Sequence, residues 1–110
     1  MAIQNSILSA TQLDLLTVPS GKSYALTTIL VCNYSSTDAA NFDLHLVRNG
    51  NARGNDNIIV SNLELPAGET FTFDSERIVL EEGDYVSFAA GPDTGSGNTD
   101  LTATISYLEV

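Results

Sequence analysis

The segment 24–34, YALTTILVCNY, constrains the fold of this chain more than any other, since it holds no glycine, no proline and no charged residue. Successive side chains of a strand point to opposite faces, so Leu26, Leu30 and Cys32 lie on one face and Ile29 and Val31 on the other. A strand with two apolar faces needs cover on both sides. A chain of 110 residues offers little interior for this purpose.

Turn residues divide the rest of the chain into short apolar runs. No segment has the apolar spacing of an amphipathic helix longer than two turns, whereas β-branched and aromatic residues are frequent in the runs. The pattern predicts an all-β fold, an antiparallel β-sandwich of eight to nine strands, either jelly-roll or immunoglobulin-like. The predicted strands are 3–8, 12–18, 23–33, 41–48, 58–65, 69–74, 77–80, 85–90 and 101–109.

No linker separates these runs, so residues 1–110 are expected to form a single sandwich domain. Residues 1–18 contain two short runs and are predicted to be an N-terminal arm or a pair of edge strands. The same region could also fold back over a sheet and cover the second apolar face of segment 24–34.

The other candidate cover is a neighbouring subunit. Ile29 and Val31 need it, and Ile59 and Val79 lie in two further runs that are apolar on both sides. A contiguous exposed apolar patch is unusual on a monomer and generally marks an association surface. The sequence therefore predicts that these four residues form an interface and that the protein is a homo-oligomer, with a trimer favoured among closed arrangements.

The charge of the chain excludes several classes of partner. Four basic residues stand against fourteen acidic ones, which gives a net charge of −10. A phosphate backbone or an anionic membrane surface would be repelled, so neither nucleic acid nor membrane is expected as a partner. No apolar run approaches the ~20 residues of a membrane span, and no signal peptide is visible, so we expect folding in a cytoplasm.

Residues with catalytic chemistry are few. His45 is the single histidine and is expected to face solvent on the polar side of its strand, two residues from Asp43. No nucleophile motif precedes any serine, and Cys32 is the single cysteine, which rules out a closed zinc site. The sequence predicts no enzyme, no catalytic residue and no cofactor.

Two loops rich in asparagine, glycine and aspartate are the remaining places for a ligand. They span 49–57 and 91–100 and are expected to face solvent or a partner. Calcium accepts such oxygen ligands, and Asp93 and Asp100 are the candidates in the second loop. Neither loop has the EF-hand spacing, and the same composition is usual at the ends of hairpins.

Four stretches of the chain resemble a family of small bacteriophage virion proteins, especially those of marine and cyanobacterial phages. The resembling stretches are VPSGKSYALTTILVCNYSS at 18–36, LPAGETFTF at 65–73, IVLEEGDYVSF at 78–88 and ISYLEV at 105–110. The resemblance implies a virion protein assembled in the host bacterial cytoplasm, and it supplies no catalytic residues.

The expected function is therefore that of a structural subunit, a capsid decoration protein or a tail or fibre accessory protein. Such a subunit would self-associate and pack on other virion proteins, such as the major capsid or tail proteins. The alternative is a host-surface or carbohydrate-binding module of a tail fibre. Sugar sites use exposed aromatic rings. Neither loop contains one, and Tyr34 and Tyr85 lie at strand ends instead.

Overall fold

A computed structural model describes residues 2–9, 11–90 and 99–110, with the side chains of 74–77 excepted. The described part contains strands and no helix, so the all-β sandwich predicted from the sequence is confirmed. The strands are β1 (Ala2–Ile7), β2 (Leu13–Thr17), β3 (Tyr24–Asn33), β4 (Ala40–Val47), β5 (Ile58–Leu65), β6 (Thr70–Leu80), β7 (Tyr85–Ala90) and β8 (Leu101–Glu109).

The strands form two four-stranded antiparallel sheets. The first sheet has the order β1-β8-β3-β6 and the second has the order β2-β7-β4-β5. The pairs are nested along the chain, because β4 pairs with β5, β3 with β6, β2 with β7 and β1 with β8. A long ribbon rolled so that alternate pairs enter opposite sheets is a jelly roll, which decides between the two predicted architectures.

The sequence splits β6 into two runs, 69–74 and 77–80, and the register explains why. Leu26 of β3 lies opposite Ile78, whereas Thr28 lies opposite Asp74. Three residues of β6 therefore face one residue of β3, which makes a special bulge, larger than the usual two against one, in one long strand. The two predicted runs are the two halves of β6 on either side of this bulge.

The core lies between the sheets and is closed by aromatic and branched side chains from both. Phe42 and Phe88 from the second sheet and Ile105 from the first are at most 1% exposed. Phe71 of β6 packs edge-on against Phe42, with ring centroids 5.5 Å apart. Burial of each such side chain contributes about 1.5–3 kcal/mol.

Ile29 and Val31 belong to this core, and the prediction that they lie at a subunit interface is wrong. Both are 0% exposed in the single chain. The β3 register shifts between Leu26 and Thr28 against both of its neighbours, so the side-chain alternation changes sides there. Leu26 is buried before the bulge, and Ile29 and Val31 are buried after it.

The first 18 residues supply one edge strand to each sheet. β1 pairs only with β8 in the first sheet, and β2 pairs only with β7 in the second. Leu8 between them is buried, and its N–H donates to the Leu101 carbonyl at 2.8 Å. Because β1 and β2 lie within the planes of their sheets, neither lies across an outer sheet face.

Candidate functional site

The outer surface of the first sheet is the first candidate for a functional surface. Opposite residues of an antiparallel pair point to the same side, so Leu30 lies in one row with Thr72 and Thr104. We term this surface the uncharged face. Its described outward residues are Ile3, Asn5, Ile7, Ala25, Thr28, Leu30, Cys32, Thr70, Thr72, Val79, Thr102, Thr104, Ser106 and Leu108.

None of these described side chains carries a charge, although the chain as a whole has fourteen acidic residues and a net charge of −10. An ion pair lies at one end of the sheet, where Lys22 Nζ is 3.1 Å from Glu109 Oε1. Self-repulsion between acidic molecules is weakest where two uncharged surfaces meet. Asp74 of β6 lies opposite Thr28 at the edge of the sheet. The part of the uncharged face on β1, β8 and β3 is thus the part of the first sheet that another acidic molecule can approach most closely.

The apolar pattern of β1 is reversed relative to a normal edge strand. Ile3 and Ile7 point outward and are 64% and 63% exposed. The inward positions hold Gln4 and Ser6, which lie opposite Ile105 and Ala103 of β8. The two outward isoleucines add little to the core of the isolated chain, so their apolar surface remains available to another molecule.

The four residues predicted for the interface separate into three places. Ile29 and Val31 lie in the core, as described above. Val79 points outward from β6 on the uncharged face and is 54% exposed. Ile59 is 45% exposed but belongs to β5, at the edge of the second sheet. The second face of segment 24–34 is formed by Leu30 and Cys32, which are half-buried between flanking threonines.

The outer surface of the second sheet is different, because it is polar and partly covered by the chain. His45 of β4 lies directly opposite Ser87 of β7, and the two are 6% and 0% exposed. Arg53, in the connection between β4 and β5, lies against them. Its Nε and Nη2 atoms are each 3.2 Å from His45 Nδ1. The expectation that His45 faces solvent is wrong, since the connection covers it.

Burial lowers the pKa of His45 below its ordinary value, the Arg53 charge acts in the same direction, and Asp43 opposes both. The ring is therefore neutral near pH 7, with Nδ1 accepting from Arg53 and the proton on Nε2. In a Ser-His-Asp triad Nδ1 instead donates to a carboxylate, which leaves Nε2 free to accept the serine proton. With the opposite tautomer, His45 is no general base for Ser87, whose Oγ has no hydrogen-bond partner.

Further contacts hold the connection onto the rest of the molecule. The Asn49 N–H donates to Asp84 Oδ1 at 2.9 Å, and the Tyr85 hydroxyl donates to the Asn51 carbonyl at 3.0 Å. Asp84 also accepts from the Glu81 N–H at 2.9 Å. The loop 49–57 is thus docked through Asn49, Asn51 and Arg53, while most of its residues are exposed, as the sequence predicts.

A groove of about 250 Å³ opens beside this loop. Its volume is slightly below the ~300–1,000 Å³ that is usual for small-molecule sites. Its lining mixes apolar and polar groups, with no buried charged pair. The lining residues are Leu46, Arg48, Asn51, Asp56, Asn57, Ile58 and Ile59.

The calcium candidates can be followed only in part. Asp93 lies outside the described residues. Asp100 lies beside Tyr34, and desolvation together with the Asp100 carboxylate raises the pKa of the Tyr34 phenol. Within the described ranges, no group of three or more histidine, cysteine, aspartate or glutamate side chains could hold a metal ion.

Comparisons with family models, curated proteins and solved structures found no match for this chain. Among the described residues, no helix is long and apolar enough to cross a membrane. The function must therefore be inferred from the surfaces of the jelly roll.

Proposed function

We propose that this protein is a non-enzymatic structural subunit of a phage virion that self-associates through its uncharged face and packs on the capsid or tail lattice. The observation that carries the proposal is the combination of uncharged outward side chains on β1, β8 and β3 with exposed Ile3, Ile7 and Val79 on a chain of net charge −10. The jelly-roll topology supports it, because viral capsid domains are among the proteins that use this fold.

The uncharged face has the size of a subunit interface. β3 is ten residues long, and the sheet has four strands. At ~3.3 Å per residue and ~4.8 Å between strands, the face measures roughly 600 Å² in projection. A standard interface covers about 800 Å² of accessible surface on each partner, so a second copy could bury most of the face.

The chemistry of the face favours apolar contacts over ionic ones. Screening by salt weakens attraction between opposite charges and relieves repulsion between like charges. Contacts through the uncharged face should therefore survive about 1 M salt and be lost in mild detergent. Dissociation of the oligomer by salt alone would contradict self-association through this face.

The direct test is sedimentation of the purified protein at micromolar concentration. We expect a species several times heavier than the 11.7 kDa chain, with a trimer as the oligomer that the sequence favours. Ile7→Asp places a charge on the uncharged face and is expected to give a folded monomer. Ile59→Asp is the matched control, because it makes the same change at a similarly exposed isoleucine of the second sheet.

The two variants give distinct contrary results. A wild-type protein that sediments as a monomer at all accessible concentrations would overturn self-association. Dissociation by Ile59→Asp but not by Ile7→Asp would move the interface to β5 and remove the role of the uncharged face. Circular dichroism of each variant establishes that the fold is intact.

One observation favours the alternative of a carbohydrate-binding or host-surface module. Tyr34 is 51% exposed and lies beside Asp100, and an exposed ring next to a carboxylate suits a sugar. Tyr85 is less suited, because its hydroxyl is bonded to the Asn51 carbonyl. Glycan binding that is lost in Tyr34→Ala and retained in Tyr85→Ala would support this alternative over the structural role.

A further inference from the structure

The contacts that hold the 49–57 loop differ in their response to pH. The Tyr85 hydroxyl and the backbone N–H of Asn49 are uncharged donors in two of these contacts. His45 is the one acceptor in this set with an ordinary pKa near neutrality. It is also 6% exposed, so a proton gained by the ring has little water to solvate it.

We propose that Arg53 and His45 form an acid-sensitive latch, which holds the 49–57 loop on the outer surface of the second sheet and releases it when His45 is protonated. In the neutral ring, the Nδ1 lone pair accepts from the guanidinium at 3.2 Å. A proton on Nδ1 occupies that lone pair, so the hydrogen bond is lost. It also places two positive charges side by side in a largely buried position.

The other groups around His45 do not replace the lost contact. Asp43, on the same strand, attracts the protonated ring, but its Oδ1 already accepts the Asn62 N–H at 2.6 Å. Asp14 of β2 lies beyond Ser87 in the same row, and its Oδ1 accepts from the Gln12 side chain at 2.8 Å. On β5, the residue opposite His45 is the uncharged Ile58. Asp43 thus opposes release, and Arg53 drives it.

Release would uncover side chains that are otherwise shielded from water. Val47 is 2% exposed, and Ser87 is fully buried with an unpartnered hydroxyl. Once the loop leaves, water can reach the Ser87 hydroxyl, which partly offsets the loss of the Arg53 contact. The latch therefore links the proton occupancy of one ring to the exposure of Val47 and Ser87.

The test combines two measurements on the intact protein. His45 is the single histidine, so its ring signals in the NMR spectrum give its titration without ambiguity. Amide hydrogen exchange of 49–57, corrected for the intrinsic rate, is compared at about pH 7.5 and about pH 5, on either side of the ordinary histidine range. We expect loop protection to fall roughly tenfold at the lower pH, along the His45 titration curve.

Three variants separate the latch from general loosening of the fold. His45→Gln keeps an acceptor for Arg53 but cannot gain a proton, so its loop should stay protected at both pH values. Arg53→Gln should leave the loop unprotected at both. Tyr85→Phe removes a hydrogen bond that does not involve His45, so it should lower protection at both pH values and keep the pH dependence.

Two results would overturn the latch. One is loop protection in the wild type that stays constant while the His45 ring titrates. The other is a fall of protection in His45→Gln at low pH that matches the wild type. If the His45 ring does not titrate before the protein unfolds, the latch has no trigger, and the proposal is overturned in the same way. None of these outcomes depends on self-association, which sedimentation measures separately.

Discussion

The two sheets of the jelly roll have opposite kinds of outer surface. The first sheet presents threonine, serine and aliphatic side chains that no described part of the chain covers, and Ile3 and Ile7 are more than 60% exposed there. The second sheet presents His45 and Ser87, which are both less than 10% exposed, and the β4–β5 connection places Arg53 on His45.

The difference follows from the chemistry of the two surfaces. A buried polar surface needs a specific donor or acceptor for each group, and a loop of the same chain can place one accurately. An apolar surface needs only the exclusion of water, which a second molecule can provide without specific hydrogen bonds. The covered face therefore suits the regulatory contact that we propose, and the bare face suits the proposed assembly.

The largest expected effect comes from a charge placed between the sheets. Ile29→Asp buries a carboxylate at a position that is 0% exposed, with no partner in the apolar core. The free energy of unfolding should fall by on the order of 5 kcal/mol, a large part of the ~5–15 kcal/mol of a typical domain. Urea denaturation of this variant and the wild type measures the loss.

Ile3→Asp is the matched variant on the uncharged face. Ile3 is 64% exposed, so the same change should alter the free energy of unfolding by no more than about 0.5 kcal/mol. Self-association should be lost all the same. If Ile29→Asp and Ile3→Asp lowered the free energy of unfolding by similar amounts, Ile3 would not point outward. The contrast between the core and the uncharged face would then be wrong.

The positions of Ile29 and Ile3 also show how much of the fold can be predicted from the sequence. Turn chemistry is local, so the turns at 66–68 and 81–84 and nearly all strand positions follow from the printed residues. The side to which a strand residue points is not local. Both sides of 29–32 are apolar, and a bulge near Thr27, set by pairing with β6 and β8, decides which side is buried.

The candidate site shows the same limit. His45 was expected on the polar side of β4, and it does point outward. Its cover by Arg53 depends on the path of a connection rich in asparagine and glycine, which no residue pattern fixes. The one signal in the sequence is that two of the four basic residues, Arg48 and Arg53, fall within this otherwise polar segment.

The next largest effect concerns the docking of the loop at the second sheet. Gly83 has φ +82°, and a Cβ there would collide with the side chain of Asn49. Gly68 has φ +78° and open space around it. Gly68→Ala should therefore destabilise by about 1 kcal/mol through its backbone alone. Gly83→Ala should cost somewhat more, about 1–2 kcal/mol, because the exposed Asn49 amide must also turn aside.

A double mutant separates the two contributions at Gly83. Asn49→Ala removes the amide that a Cβ would strike, so Gly83→Ala should be milder in that background and approach the cost at Gly68. Thermal denaturation of the four combinations provides the coupling energy. Equal effects of Gly83→Ala with and without the Asn49 amide would mean that this side chain turns aside at no measurable cost.

A smaller effect is expected from the pH dependence of stability. The pKa of His45 is lower in the folded protein than in the unfolded chain, where it is about 6.5. The unfolded chain therefore binds more protons between the two values. The contribution of His45 is complete above about pH 6.5 and is lost as the pH falls through the folded pKa.

His45→Gln isolates this contribution from the carboxylates, which titrate at lower pH. As the pH falls from about 7.5 to about 5, the free energy of unfolding of the wild type should fall relative to that of His45→Gln. A difference that grows in favour of the wild type at low pH would mean that the imidazolium is stabilised, with Asp43 outweighing Arg53.

The smallest effect should come from the ion pair at the end of the first sheet. The hydrogen bond to Glu109, with the charge of its carboxylate, raises the pKa of Lys22, but the two side chains are 43% and 60% exposed. Water and salt screen such pairs. Lys22→Gln should therefore leave the denaturation midpoint unchanged within experimental error.

Arg53→Gln also removes one positive charge, yet it should destabilise the protein by about 1–2 kcal/mol, because it leaves His45 Nδ1 without its donor in a buried position. If Lys22→Gln and Arg53→Gln had equally small effects on stability, Arg53 would not stabilise the covered sheet. The two outer surfaces would then differ in composition alone.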